Sequence, residues 1–135
     1  MSNGFLLDTN IISNLVRQPS GNASKKLRKN ANTRCCTSII VACELRFGAE
    51  KVSSDSLRER INQVLARFEV LPLDVPADSH YGRLRIILER KGTPIGPNDL
   101  LIAAHALALD LTLVTDNTSE FSRVDGLRVE NWLRP

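Results

Sequence analysis

Aromatic side chains are scarce in this chain: one Trp, one Tyr and four Phe among 135 residues. Proteins that grip single strands by stacking bases on aromatic platforms use more of them, which argues against an OB-type stacking surface. No apolar run approaches the roughly 18 residues of a membrane-spanning helix. Cysteine is also sparse, and Cys35, Cys36 and Cys43 are odd in number, two of them adjacent. Without a C-x-x-C pair or a histidine at zinc spacing they support neither a disulfide framework nor a zinc site, and they read as small buried apolar residues. The two histidines, His80 and His105, have no serine or cysteine partner at a recognisable spacing, so both read as structural. The N-terminus, Met-Ser-Asn-Gly before Phe5-Leu6-Leu7-Asp8, lacks the basic flank and unbroken apolar core of a signal peptide; a cytoplasmic protein is expected.

What is present is ordinary in bulk. The composition is 42% hydrophobic and 24% charged, and 18 Lys+Arg against 15 Asp+Glu gives a net charge of +3. That mild excess permits contact with nucleic acid without requiring it. The run Lys25-Lys26-Leu27-Arg28-Lys29 reads as a solvated helix face. With no repeat or low-complexity tract, residues 1–135 are expected to form one domain.

Apolar periodicity alternates between strand and helix. Phe5-Leu6-Leu7 reads as a strand, with Ile11, Ile12, Leu15 and Val16 at helical spacing beyond it. A polar helix over 23–31 follows, then a strand at Arg34 to Thr37 and a helix that Ser38 caps and that carries Glu44. The stripe Leu57, Ile61, Val64, Leu65 and Phe68 predicts an amphipathic helix opened by Ser54. Val70 to Leu73 is a weaker strand, because Pro72 has no N–H to donate and belongs near an edge or strand end. Pro76 opens a helix that runs to Gly92, and the loop 93–98 delivers Asp99 to a helix ending near Leu109. Strands at 112–115 and 127–129 complete the pattern. The expected fold is an α/β/α sandwich around a mostly parallel sheet of about five strands.

Ligands of such sheets bind beyond the carboxyl ends of the strands, where loops and helix N-termini converge. Asp8 and Asp116 each follow a strand, Asp99 opens a helix, and Glu44 sits about two turns into another. All four can reach one rim. Clustered carboxylates repel, so they persist with a cation or with shared protons, and Mg²⁺, which takes oxygen ligands and keeps several waters, resolves the conflict. Each acid alone has a plainer reading as a cap, turn or surface residue. The run Asp8-Thr9-Asn10 weighs against that, since one polar cap would suffice after a strand.

Four stretches carry a resemblance: Phe5-Leu6-Leu7-Asp8-Thr9-Asn10-Ile11, Ser38 to Leu45 with its isolated Glu44, Asn98-Asp99-Leu100-Leu101-Ile102-Ala103-Ala104, and Leu113 to Phe121. In this order they resemble the successive motifs of the PIN-domain family, and more narrowly of VapC toxins from bacterial toxin–antitoxin pairs. The resemblance implies a Mg²⁺- or Mn²⁺-dependent endoribonuclease with catalytic acids at Asp8, Glu44, Asp99 and Asp116. Asp8 and Asp99 are the expected metal ligands and Glu44 a ligand or water-orienting partner. Asn117 is the alternative for the fourth place. Thr9, Asn10 and Thr115 match residues that buttress the site. The likeness also implies a homodimer, a VapB-type antitoxin, operator DNA bound only through that antitoxin, and RNA as substrate, initiator tRNA being a candidate. Two other readings stay open: a phosphotransferase or phosphatase with Asp8 as nucleophile, though Asn10 stands where a second acid would be wanted, and a silent RNA-binding module.

Overall fold

The protein is described by a computed structural model covering residues 2–134. Five short strands, β1 (Phe5–Leu7), β2 (Cys35–Ser38), β3 (Glu69–Leu71), β4 (Thr112–Val114) and β5 (Val129–Glu130), form one sheet in the order β3-β2-β1-β4-β5. Every pairing is parallel, so the sheet is wholly rather than mostly parallel. Among the described residues seven helices connect the strands: α1 (Thr9–Arg17), α2 (Asn22–Lys29), α3 (Ile39–Val52), α4 (Asp55–Leu65), α5 (Ala77–Arg90), α6 (Pro97–Ala108) and α7 (Thr118–Phe121).

The strands are continuous apolar runs because helices leave them little access to water. Leu6, Leu7, Leu113 and Val114 are fully buried, and Ile11 and Ile12 of α1 join them in the core. Ser38 and Ser54 cap α3 and α4 as expected, accepting from the N–H groups of Ile40 and Leu57. The chain steps from β1 outward to β2 and β3, then returns to the other side of β1 as β4 and β5. The reversal therefore lies between β1 and β4, where an open parallel sheet leaves a crevice at its carboxyl end.

Several expectations are corrected. The α4 helix ends at Leu65, and Phe68 packs on the core from the following turn. β3 stops at Leu71, with Pro72 just past the end of an edge strand. Pro76 is the residue before α5 rather than within its first turn. The last strand is Val129–Glu130, not 127–129, and α7 has no counterpart in the sequence reading. Cys36 is buried, but Cys43 is exposed on α3. No described helix is long and apolar enough to cross a membrane.

Candidate active site

Asp8 is the first residue beyond β1 and the N-cap of α1. Its side chain is 3% exposed, and both oxygens are engaged. Oδ1 accepts from the Thr9 N–H at 2.8 Å, and Oδ2 accepts from Thr115 Oγ1 at 2.7 Å and from Asn10 Nδ2 at 3.4 Å. Burial pushes this carboxyl above its ordinary range and the Glu44 charge adds to the rise, while the Thr115, Thr9 and Asn10 bonds oppose it.

Thr115, directly beyond β4 and fully buried, is the hub of the site. Besides donating to Asp8, its Oγ1 accepts from the Asn117 N–H at 3.0 Å and from Asn10 Nδ2 at 3.3 Å. Thr9 Oγ1 reaches across to α3 and donates to Glu44 Oε1 at 2.5 Å, and Asn98 Nδ2 lies 3.5 Å from Glu44 Oε2. Asp99 occupies the first turn of α6, and Asn117 Nδ2 lies 3.4 Å from its Oδ2. Asp8, Thr9, Asn10, Glu44, Asp99 and Asn117 thus line one open cleft of about 350 Å³ at the β1/β4 reversal.

Asp116 is not brought to this cleft. Its N–H donates to Asn10 Oδ1 at 2.8 Å, but its carboxylate faces the C-terminal segment, accepting from Asn131 Nδ2 at 2.9 Å with Arg134 Nε at 3.6 Å. The turn after β4 presents Asn117 instead. Glu120 is the residue that the sequence reading missed. Its Oε1 accepts from the Gly96 N–H at 2.9 Å, supplying from α7 the cap that α6 lacks, and its Oε2 accepts from Asn117 Nδ2 at 3.1 Å. The spacing Asn117-Thr118-Ser119-Glu120, a helix-start signature, was the available signal. His105 is buried and bonded through Nδ1 to Ser38 Oγ at 2.8 Å, and it does not line the cleft.

Electrostatically the cleft is strained by like charge. Desolvation first, then the charges of Asp8, Glu120 and Glu44, raise the Asp99 carboxyl to about 7. Glu120 behaves oppositely: against the desolvation that would raise it, the Gly96 N–H, Asn117 and Asp99 hydrogen bonds hold it below its ordinary value. Among the described residues none of Asp8, Glu44, Asp99 and Glu120 forms a salt bridge. Among the described residues, no group of three or more His, Cys, Asp or Glu side chains is arranged to hold a metal ion by itself. The donor set suits a hard divalent cation that needs only one or two protein carboxylates and keeps its waters.

A PIN-domain family model matches residues 5–127, nearly the whole chain. The chain belongs to the PIN-domain family. This PIN domain is 39% identical over 132 residues to the tRNA(fMet)-specific endonuclease VapC of Shigella flexneri, covering 95% of this chain and 97% of that one. It is similar, at a TM-score of 0.88 and 37% identity, to a solved structure of VapBC2 from Rickettsia felis bound to a DNA fragment from their promoter, covering 95% of this chain and 98% of that one. DNA-bound VapBC from Salmonella typhimurium gives a TM-score of 0.85 and 38% identity, covering 98% and 99% of the two chains. The β1/β4 cleft of this PIN domain therefore sits in a fold shared with VapC proteins along its length.

Proposed function

We propose that this PIN domain is a metal-dependent endoribonuclease, the toxin of a VapBC-type pair. The observation that carries this reading is the uncompensated carboxylate cluster of Asp8, Glu44 and Asp99 at the sheet's reversal point. Asp8 and Asp99 are the proposed ligands of Mg²⁺, with Mn²⁺ able to substitute. When bound, that ion lowers the pKa of an attacking water and screens charge on the phosphoryl oxygens.

The remaining work falls to side chains. Glu44, steadied by Thr9, is placed to orient a water and accept its proton. Thr115 and Asn10 fix the Asp8 carboxylate, and Asn117 fixes Asp99. Asp116, expected as the fourth acid, takes the supporting role of anchoring the C-terminal segment, and Asn117 and Glu120 take its place at Asp99.

The VapBC neighbours support a VapB-type antitoxin as partner, with operator DNA contacted through it, and the Shigella relative's name supports transfer RNA as substrate class. A homodimer and a cytoplasmic location complete the reading. The test is incubation of the purified chain with total tRNA and defined RNAs in Mg²⁺, in Mn²⁺ or in EDTA. Cleavage in the metal arms alone, lost in Asp99→Asn, is expected. Cleavage that persists in EDTA, or transfer of labelled phosphate onto Asp8, overturns the proposal.

A further inference from the structure

The acidic cleft does not end at Glu44. Thr9, Ser13, Arg17 and Glu44 also border a second hollow of about 290 Å³, floored by Leu45, Ala49, Leu57 and Ile61 of α3 and α4. Arg17, the last residue of α1, stands where the two hollows meet. It is exposed, and among the described residues it forms no salt bridge with the acids around it. A guanidinium left unpaired beside a carboxylate cluster is available to an anion, and its planar fork suits phosphate.

We propose that this annex is a nucleotide subsite, in which Arg17 holds the phosphate next to the scissile one and the apolar floor receives that nucleotide's base. The inference rests on the ribonuclease reading, since it places the strand across the cleft. Three features carry it. The annex is continuous with the acid cleft through four shared residues, so one ligand spans both. At the junction Arg17 sets a cation beside the acids, where a polyanion leaves the metal-binding end. Its volume lies at the small end of ligand pockets, enough for one base rather than a folded element.

Gly48 on α3 borders the same hollow. Glycine inside a helix weakens it relative to alanine, and a Cβ at this position would meet nothing within 4 Å. The backbone therefore does not require glycine there, and a larger side chain has open space beside the hollow to fill. The floor of Leu45, Ala49, Leu57 and Ile61 offers a base apolar contact, while hydrogen-bonding side chains sit only at the rim shared with the cleft.

Binding of a fluorescein-labelled pool of single-stranded RNA 12-mers, in Ca²⁺ and on the Asp99→Asn background, tests the subsite without cleavage. Arg17→Ala is expected to bind about tenfold more weakly and to lower the slope of log K against log salt by about 0.7, the share of one single-strand phosphate contact; Arg17→Lys restores the slope. Gly48→Leu, which fills the annex, is expected to weaken binding about tenfold at unchanged slope and, on the cleaving protein, to change the base flanking the cut. Circular dichroism checks that Gly48→Leu folds, and the Arg17 pair decides independently of it. The inference is overturned if both sites bind and cut as the wild type does, or if Gly48→Leu loses only a VapB-derived peptide. A wild-type chain that binds the pool but cuts no RNA sinks the ribonuclease reading, while the binding arms still judge the annex.

Discussion

Thr115 organises the cleft through one oxygen. Its hydroxyl donates to Asp8 and accepts from Asn10 and from the Asn117 backbone, so its loss leaves a buried carboxylate short of a donor and a part-buried N–H short of an acceptor. Thr115→Val keeps the shape and removes these bonds. It is expected to cost about 1–3 kcal/mol in urea unfolding, the scale of unsatisfied buried polar groups. RNA cleavage should fall by about tenfold or more, the range seen when a ligand's support is removed. The neighbouring pair separates two roles that adjacent residues can be confused for. Asp116→Ala should leave cleavage within about twofold, as a surface change does, because its carboxylate faces Asn131. Asn117→Ala should lower cleavage by about tenfold, because its amide holds Asp99 and Glu120. Equal losses from both single variants, measured on the same RNA, would contradict this geometry.

At the scale of elements, the long periodic segments were legible and the short ones were not. α1, α3 and α6 place Asp8, Glu44 and Asp99 as their caps and apolar spacing indicate, so three of the expected acids reach one cleft. α7 has four residues and β5 two, too few for any period to register, so only the Asn117-x-x-Glu120 cap spacing marked Glu120. The choice between Asp116 and Asn117 depends on which way a turn rotates after β4, and sequence spacing carries no information on that. Phe68 kept its apolar role while leaving its helix, because burial is fixed by pattern more firmly than element ends are. The entry to β1 was equally silent in the sequence. Gly4 has φ +132°, and a Cβ there would stand 2.6 Å from the Arg34 carbonyl oxygen, which already accepts from the Phe5 N–H. Gly4→Ala must move the β1/β2 pairing or distort it. A loss of about 2 kcal/mol or more in urea unfolding is expected, where a neutral result would remove the strain argument.

Over the whole molecule, a net charge of +3 coexists with a cleft whose acids repel, so stability is expected to depend on pH and, on the proposed metal-binding reading, on Mg²⁺ as well. In the metal-free protein Asp99 keeps its proton up to about 7, whereas its unperturbed value is 3.8. Between those values the native state holds more protons than the unfolded chain, so stability is fully present below the lower value and is lost as pH rises through the upper one. Asp8, also raised, acts in the same direction. His105, lowered by burial, acts in the opposite one, since the native state resists the proton that the unfolded chain accepts as pH falls below 6.5. Comparing variants isolates the acid part. Because Asp99 is only half-buried, solvent screening reduces its share to about 1 kcal/mol. In EDTA, Asp99→Asn should therefore gain thermal midpoint over the wild type at pH 8, a gain that shrinks toward pH 5. Mg²⁺ at about 100 times its Kd should stabilise the wild type by about 2.7 kcal/mol at pH 8 and the Asp99→Asn variant much less. Thermal melts from pH 5 to 8 with and without Mg²⁺ read both effects. A wild type indifferent to Mg²⁺ at pH 8, or an Asp99→Asn variant less stable than it in EDTA at that pH, would show that the carboxylates are not the repelling cluster that a cation relieves.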